Sequence, residues 1–129
     1  MRIGNLLQVP SYLSLTTALA YHGLTTQVQR RYVESVGTRR SIAIVAQDTT
    51  FVFHKLKHRL FFGFERQDGL FVAEPEKALL DAAFLQILGH SALDWTAIHQ
   101  EDMDRNRIRS YLNAYPERFK PKMAKICKI

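Results

Sequence analysis

A single cysteine, Cys127, lies two residues from the end of this 129-residue sequence, so an internal disulfide is excluded. That fits a reducing cytoplasm. No apolar run approaches the roughly 18–20 residues that a membrane-crossing helix needs. The opening MRIGNLLQVPSYLSL has one basic residue and no continuous apolar stretch, and it predicts no signal peptide. Internal repeats, low-complexity tracts and Gly/Ser linkers are missing. So are the compact chemical motifs: there is no Gly-x-Ser-x-Gly elbow and no glycine-rich phosphate loop followed by Lys-Ser or Lys-Thr. The aspartates lack the paired spacing of a two-metal nucleotidyl-transfer site. We expect no catalytic residues, no cofactor, no metal site and no membrane partner.

What is present is the composition of one folded domain, with 47% hydrophobic and 23% charged residues. The net charge of +6 is unevenly spread. Residues 1–60 hold eight Lys/Arg against two Asp/Glu, residues 61–100 two against six, and residues 101–129 eight against four. Two basic ends around an acidic middle imply a polarised surface if the ends meet in space, and a basic balance favours polyanionic partners.

Residues 1–9 read as a connector ending at Pro10. SLTTALAYHG then predicts a helix, with Ser14 or Ser11 as N-cap and Gly23 just beyond its end. Between about residues 27 and 73 the period shortens to that of strands: YVESV, SIAIVA, TFVFHKL, LFFGFERQ and LFVAE are rich in Val, Ile and Phe. Asp68-Gly69 is a two-residue turn pair between apolar strands and predicts a hairpin. After residue 74 the pattern is helical. Leu79, Leu80, Ala83, Phe84, Ile87 and Leu88 form a stripe ended by Gly89, Asp94 caps a short helix containing Trp95 and Ile98, and two further helices carry Ile108 with Leu112 and Met123 with Ile126. A helix, then strands, then helices predicts an α+β fold, with a small antiparallel sheet over about residues 27–73 flanked by an N-terminal helix and a C-terminal group of helices.

The densest cluster of charge is AEPEKALLDAAFL, residues 73–85. Pro75 suits a first helical position, and Glu74 and Glu76 complement the positive end of the helix dipole. Lys77 and Asp81 are spaced for an exposed i,i+4 pair worth a few tenths of a kcal/mol, as in isolated helices. Each charge thus has a structural role in starting a helix.

Seven basic residues are the candidate nucleic-acid or partner contacts. Arg30, Arg31, Arg39 and Arg40 bracket the first predicted strand, and Lys55, Lys57 and Arg59 alternate at strand spacing in HKLKHRL. They offer either a surface that tracks phosphates or a docking face for an acidic partner, or else the charged guard of a sheet edge. Arg105, Arg107, Arg109, Lys120, Lys122, Lys125 and Lys128 decorate the tail as a more ordinary solvated set. His54 and His58 have i,i+4 spacing, which would serve a metal only on a helix, whereas their surroundings read as strand. The aromatic residues Tyr12, Tyr21, Phe61, Phe62, Phe64, Phe71 and Phe84 are better read as core than as base-stacking platforms, with Phe61 the one expected to be exposed.

PSYLSLTTALAYHGL at 10–24, FFGFE at 61–65, AEPEKALLDAAFL at 73–85 and the closing YLNAYPERFKPKMAKI together resemble the AbiEi family of bacterial antitoxins and transcriptional regulators of abortive-infection toxin–antitoxin systems. Glu74 departs from the small capping residue more usual there. Family members usually carry an N-terminal winged-helix DNA-binding domain, and only nine residues precede PSYLSL here. The chain is therefore similar to the C-terminal domain alone, spanning residues 10–129. The resemblance implies a non-catalytic antitoxin-like domain that counteracts a nucleotidyltransferase-like toxin, either directly or at the level of the toxin's target. DNA is a further candidate partner, and a small nucleic-acid-binding module or an auxiliary DNA-contacting domain of a transcriptional regulator is the alternative reading. The oligomeric state is left open.

Overall fold

The computed structural model describes residues 2–27 and 29–129. In chain order the elements are α1 (Arg2–Leu7), β1 (Ser11–Leu13), α2 (Leu15–Tyr21), β2 (Tyr32–Gly37), β3 (Ile42–Ala46), β4 (Thr49–Lys55), β5 (Phe64–Gln67), β6 (Leu70–Ala73), α3 (Pro75–Ile87), α4 (Arg105–Leu112) and α5 (Lys120–Ile126). Short 3-10 turns lie at His58–Leu60, Trp95–Ala97 and Glu117–Phe119. The class is α+β.

The strands form one six-stranded sheet in the order β3-β4-β2-β1-β6-β5. It is mixed rather than antiparallel. β2 runs parallel to β4 and β1 parallel to β6, while the remaining neighbours are antiparallel. The reason is topological. The β3–β4 hairpin folds back so that its second strand, not its first, lies beside β2. The sheet also begins earlier than residue 27: Ser11–Leu13, just before the first long helix, provides a central strand with all three residues buried. Residues 2–7, read as part of a connector, form a helix that packs on β1, β2 and β6.

Local chemistry accounts for the two hairpins. Asp68 and Gly69 have φ of 51° and 76°, as a turn with two left-handed residues requires, and Gln67 pairs with Leu70 across it. Gln47 and Asp48 make an equivalent turn between Ala46 and Thr49 with φ of 52° and 61°. This second turn contains no glycine and gives a weaker sequence signal.

Helices cover both sheet faces. α1 lies against the face carrying Val33 and Phe51, which approach Gly4. α3 covers the opposite face, reaching Tyr12 of β1 through Asp81, and α2 packs along β2 beyond the end of the short β1, where the Thr17 Oγ1 accepts from the Glu34 N–H at 2.8 Å. α3 is the central helix: Glu76 through Leu85 are all buried, while Ile87 and Leu88 at the end of the apolar stripe are partly open, Leu88 to 41%. α4 and α5 pack on its outer surface.

Candidate functional site

The charged cluster at the start of α3 is not an exposed helix beginning. Lys77 and Asp81 are both fully buried, and Lys77 Nζ donates to Asp81 Oδ1 at 2.5 Å. Tyr115 donates to the same oxygen at 2.7 Å, while Tyr12 and Ser14 donate to Oδ2 at 2.7 and 2.9 Å. Four donors thus satisfy one carboxylate. Lys77 Nζ also donates to the Tyr12 hydroxyl at 3.0 Å and sits 4.8 Å from the centre of the Phe62 ring. Ser14 occupies the N-cap position of α2, as expected, but its hydroxyl is spent on Asp81 rather than on the helix end.

Burial dominates the titration of this group. It lowers the Lys77 pKa, with Asp81 pulling the other way, and it raises the Tyr12 and Tyr115 hydroxyls, with the Asp81 charge adding to the shift. The i,i+4 pair is therefore no few-tenths surface contact. It is a desolvated ion pair made tolerable by completed hydrogen bonding. With no side chain reaching solvent, the network is architecture.

The glutamates that open α3 are structural as well. Glu74 accepts from Tyr111 at 2.5 Å and from Arg107 at 3.2 Å, and Glu76 accepts from the Asp104 N–H at 3.0 Å. These bonds clamp α4 onto α3. The arrangement pushes the Tyr111 hydroxyl up to about 12, through desolvation first and the Glu74 hydrogen bond second.

All seven basic candidates are exposed, and the structure divides them. Arg30 and Arg31 lie where the chain enters β2, Arg39 and Arg40 where it leaves, so this six-residue strand separates the pairs by about 20 Å. Because β4 runs parallel to β2 and Lys55 pairs with Gly37, the Lys55–Arg59 segment joins Arg39 and Arg40 at one end of the sheet. The one-sided row that alternation of Lys55, Lys57 and Arg59 on a continuing strand would make does not form. The strand stops at Lys55, and Arg59 lies in the 3-10 turn His58–Leu60.

The turn nevertheless brings the three cations to one place. Lys55, Lys57 and Arg59 line a cleft of about 250 Å³ together with Arg118. Its floor is apolar, made of Leu56 and Leu60 from the β4 exit, Phe84 and Leu88 from α3, and Pro116 with Phe119. Arg59 donates from Nε and Nη2 to the Ala114 carbonyl at 3.2 and 2.9 Å, which ties this turn to the loop after α4. Arg118 lies 4.8 Å from the centre of the Phe119 ring. Among the described residues, no carboxylate, imidazole, hydroxyl or thiol lines the cleft. Its chemistry is that of holding an anion by its charge and an attached apolar or planar group by contact.

Arg118 and Phe119 were not visible as site residues in the sequence; only the fold sets them beside Lys55 and Arg59. Arg31 lines a different cleft, at the opposite end of β2, with Thr49 and Gln47. Arg39 and Arg40 border a third, beside α1. Among the aromatic residues, Tyr12 is fully buried and stacks on Phe64 at 4.7 Å. Phe61 is half-buried against both, and Phe71, at 40% exposure, is the more open ring. His54 is buried in β4 and His58 is exposed in the following turn. Cys127 is buried, which pushes its thiol up to about 12. Among the described residues, no helix is long and apolar enough to cross a membrane.

No family model, curated protein or solved structure matches this chain.

Proposed function

We propose that this chain is a non-catalytic, antitoxin-like regulatory domain of a bacterial toxin–antitoxin or abortive-infection system, acting in the cytoplasm against a nucleotidyltransferase-like toxin. One observation carries the reading. The segments behind the AbiEi resemblance are far apart in sequence, yet they close on one another around Asp81. Tyr12 and Ser14 come from the first, Phe62 and Phe64 from the second, Lys77 and Asp81 from the third, and Tyr115 from the last. Their meeting supports reading the four segments as one scaffold.

The function then rides on the scaffold's surface, where the cleft of Lys55, Lys57, Arg59 and Arg118 supports antagonism through a polyanion, such as a nucleic acid on which the toxin acts. The test is growth rescue beside such a toxin, with the chain and its Lys55→Ala/Lys57→Ala/Arg118→Ala variant expressed to equal soluble levels. The expected result is restored colony counts with the natural sequence and a loss of rescue with the variant. A soluble, folded chain that gives no rescue overturns the antitoxin reading.

The same cleft favours a second reading, a small nucleic-acid-binding module unrelated to toxins. Steeply salt-dependent affinity for nucleic acid without any rescue would select it.

A further inference from the structure

β3 is an outer strand of the sheet, with β4 on one side and, among the described residues, nothing paired on the other. Its five residues, Ile42–Ala46, are all apolar, and it carries none of the charges or prolines that usually blunt such an edge. Ala43 and Val45 are exposed, Val45 to 73%. The hydrogen-bonding phase is set by the turn. Ala46 and Thr49 close a two-residue hairpin, so Ala46, Ile44 and Ile42 exchange bonds with β4. The Thr50 N–H confirms this phase by turning the other way, to the Arg31 carbonyl. The N–H and C=O groups of Ala43 and Val45 therefore point outward, with no backbone partner among the described residues.

We propose that β3 pairs antiparallel with β3 of a second copy of this chain, about a two-fold axis at Ile44, doubling the six-stranded sheet. Three features select this occupant and this register. First, an axis at Ile44 sets Ala43 opposite Val45 of the second copy and the reverse, so that both outward-pointing residues of each strand find bonding partners. Second, the same register brings Arg40, two residues before β3, to the Gln47–Asp48 turn of the second copy, on both sides of the axis, where its long side chain reaches Asp48. Neither residue has an ion-pair partner within its own chain among the described residues. Moving the axis to Ala43 sets Val45 opposite Ser41, before β3, and moving it to Val45 sets Ala43 opposite Gln47, in the turn; either register leaves an outward-pointing residue without a strand partner. Third, the flanking surface is part apolar and part basic, with Leu6, Leu7, Val9, Ile42 and Ile44 beside Gln8, Arg39 and Arg40. A cleft of about 380 Å³ runs beside Ile42 and Ile44, walled by α1 through Leu6 and Leu7. Leu6 is 73% exposed and Val9 58%. The two-fold axis brings the two copies of this cleft together, where each covers the other.

The test reads both association and register. Sedimentation of the full chain across a concentration series is expected to show a reversible shift from monomer to dimer. Val45→Lys, a change at an exposed side chain, is expected to abolish that shift while circular dichroism and unfolding remain unchanged. The register is read by cysteine cross-linking, since the only native thiol is buried. Directly opposed residues in a non-hydrogen-bonded antiparallel pair have Cα atoms about 4.5 Å apart, within the range a disulfide spans. Ile44→Cys is thus expected to give a covalent dimer on oxidation, and Val45→Cys little or none. A chain that stays monomeric at high concentration overturns the proposal, including the case in which β3 serves a different partner protein. A dimer unaffected by Val45→Lys overturns it, as does one cross-linked by Val45→Cys in preference to Ile44→Cys.

Discussion

Lys77 Nζ lies 2.5 Å from Asp81 Oδ1, and neither side chain is exposed to solvent. A pair of this kind is an asymmetric element of stability. The Coulomb gain roughly repays the desolvation of both ions, whereas removing one partner strands the other in a dry core. Asp81 also anchors Tyr12, Ser14 and Tyr115, so its loss frees hydrogen bonds from β1, the start of α2 and the segment after α4 at once. Asp81→Ala and Lys77→Met are each expected to cost about 3–5 kcal/mol in denaturant unfolding. The double variant Lys77→Met/Asp81→Leu is expected to lose less than the sum of the singles. Additive losses would mean the two charges do not act as a unit.

This pair also shows where the sequence is legible and where it is silent. Pro75 and the acids beside it mark a helix start by local chemistry, and Asp68-Gly69 marks a hairpin for the same reason. Whether Lys77 and Asp81 face water depends on what packs over them, and an i,i+4 spacing reads the same either way. Ser11–Leu13 is too short to display a strand period, so a central strand was hidden beside a helix cap. That omission also concealed the parallel pairing of β1 with β6. Lys55, Lys57 and Arg59 were legible as charge, but the turn at His58 gathers them around a cleft instead of along a row. Arg118 and Phe119 reach that cleft from the far end of the chain through the Arg59–Ala114 contact, which no local pattern encodes.

The division of the basic residues between the ends of β2 can be read from the salt dependence of binding. Each phosphate neutralised contributes about 0.7–0.9 to the slope of log affinity against log salt. Lys55→Ala/Lys57→Ala/Arg118→Ala is expected to flatten that slope for a short nucleic acid by about two. Arg30→Ala/Arg31→Ala, which changes only the opposite end of β2, is expected to leave it nearly unchanged. Equal effects from the two variants would point to diffuse attraction and against the cleft.

Glu34 couples stability to pH. It is buried between β2 and α2, and burial raises its carboxyl from 4.5 to about 7, against the lowering effect of hydrogen bonds from Thr16. Between those two values the folded chain holds a proton that the unfolded chain has released, so this residue's contribution to stability falls as pH rises through the interval. Above about 7 both states are ionised and the loss is complete. His54 works in the opposite sense, because burial lowers its pKa and protonation below its ordinary value favours unfolding. The informative quantity is therefore the difference between the natural chain and Glu34→Gln. That difference is expected to be small near pH 4.5 and to grow in favour of the variant to as much as about 3 kcal/mol by pH 8. A difference independent of pH would place the Glu34 carboxylate in contact with water.

Gly63 tests how rigidly the Lys77 chain is held. Its φ is +73°, and a Cβ added there would lie 2.9 Å from Lys77 Cγ and 3.0 Å from Lys77 Cβ. Gly23 has the same φ of +73° with nothing within 4 Å. Gly23→Ala therefore suffers only the backbone cost of a left-handed residue, about 1–2 kcal/mol. Gly63→Ala adds a collision with a buried stem whose ammonium is fixed by Asp81 and Tyr12, and such overpacking costs roughly a further 1–3 kcal/mol. Parallel denaturant titrations of the two variants compare the same backbone conformation with and without the obstruction. A larger loss at Gly63 is the expected outcome. Equal losses would mean that Lys77 retreats from the methyl group without losing its bonds, and that its stem is not locked in place by the network around Asp81.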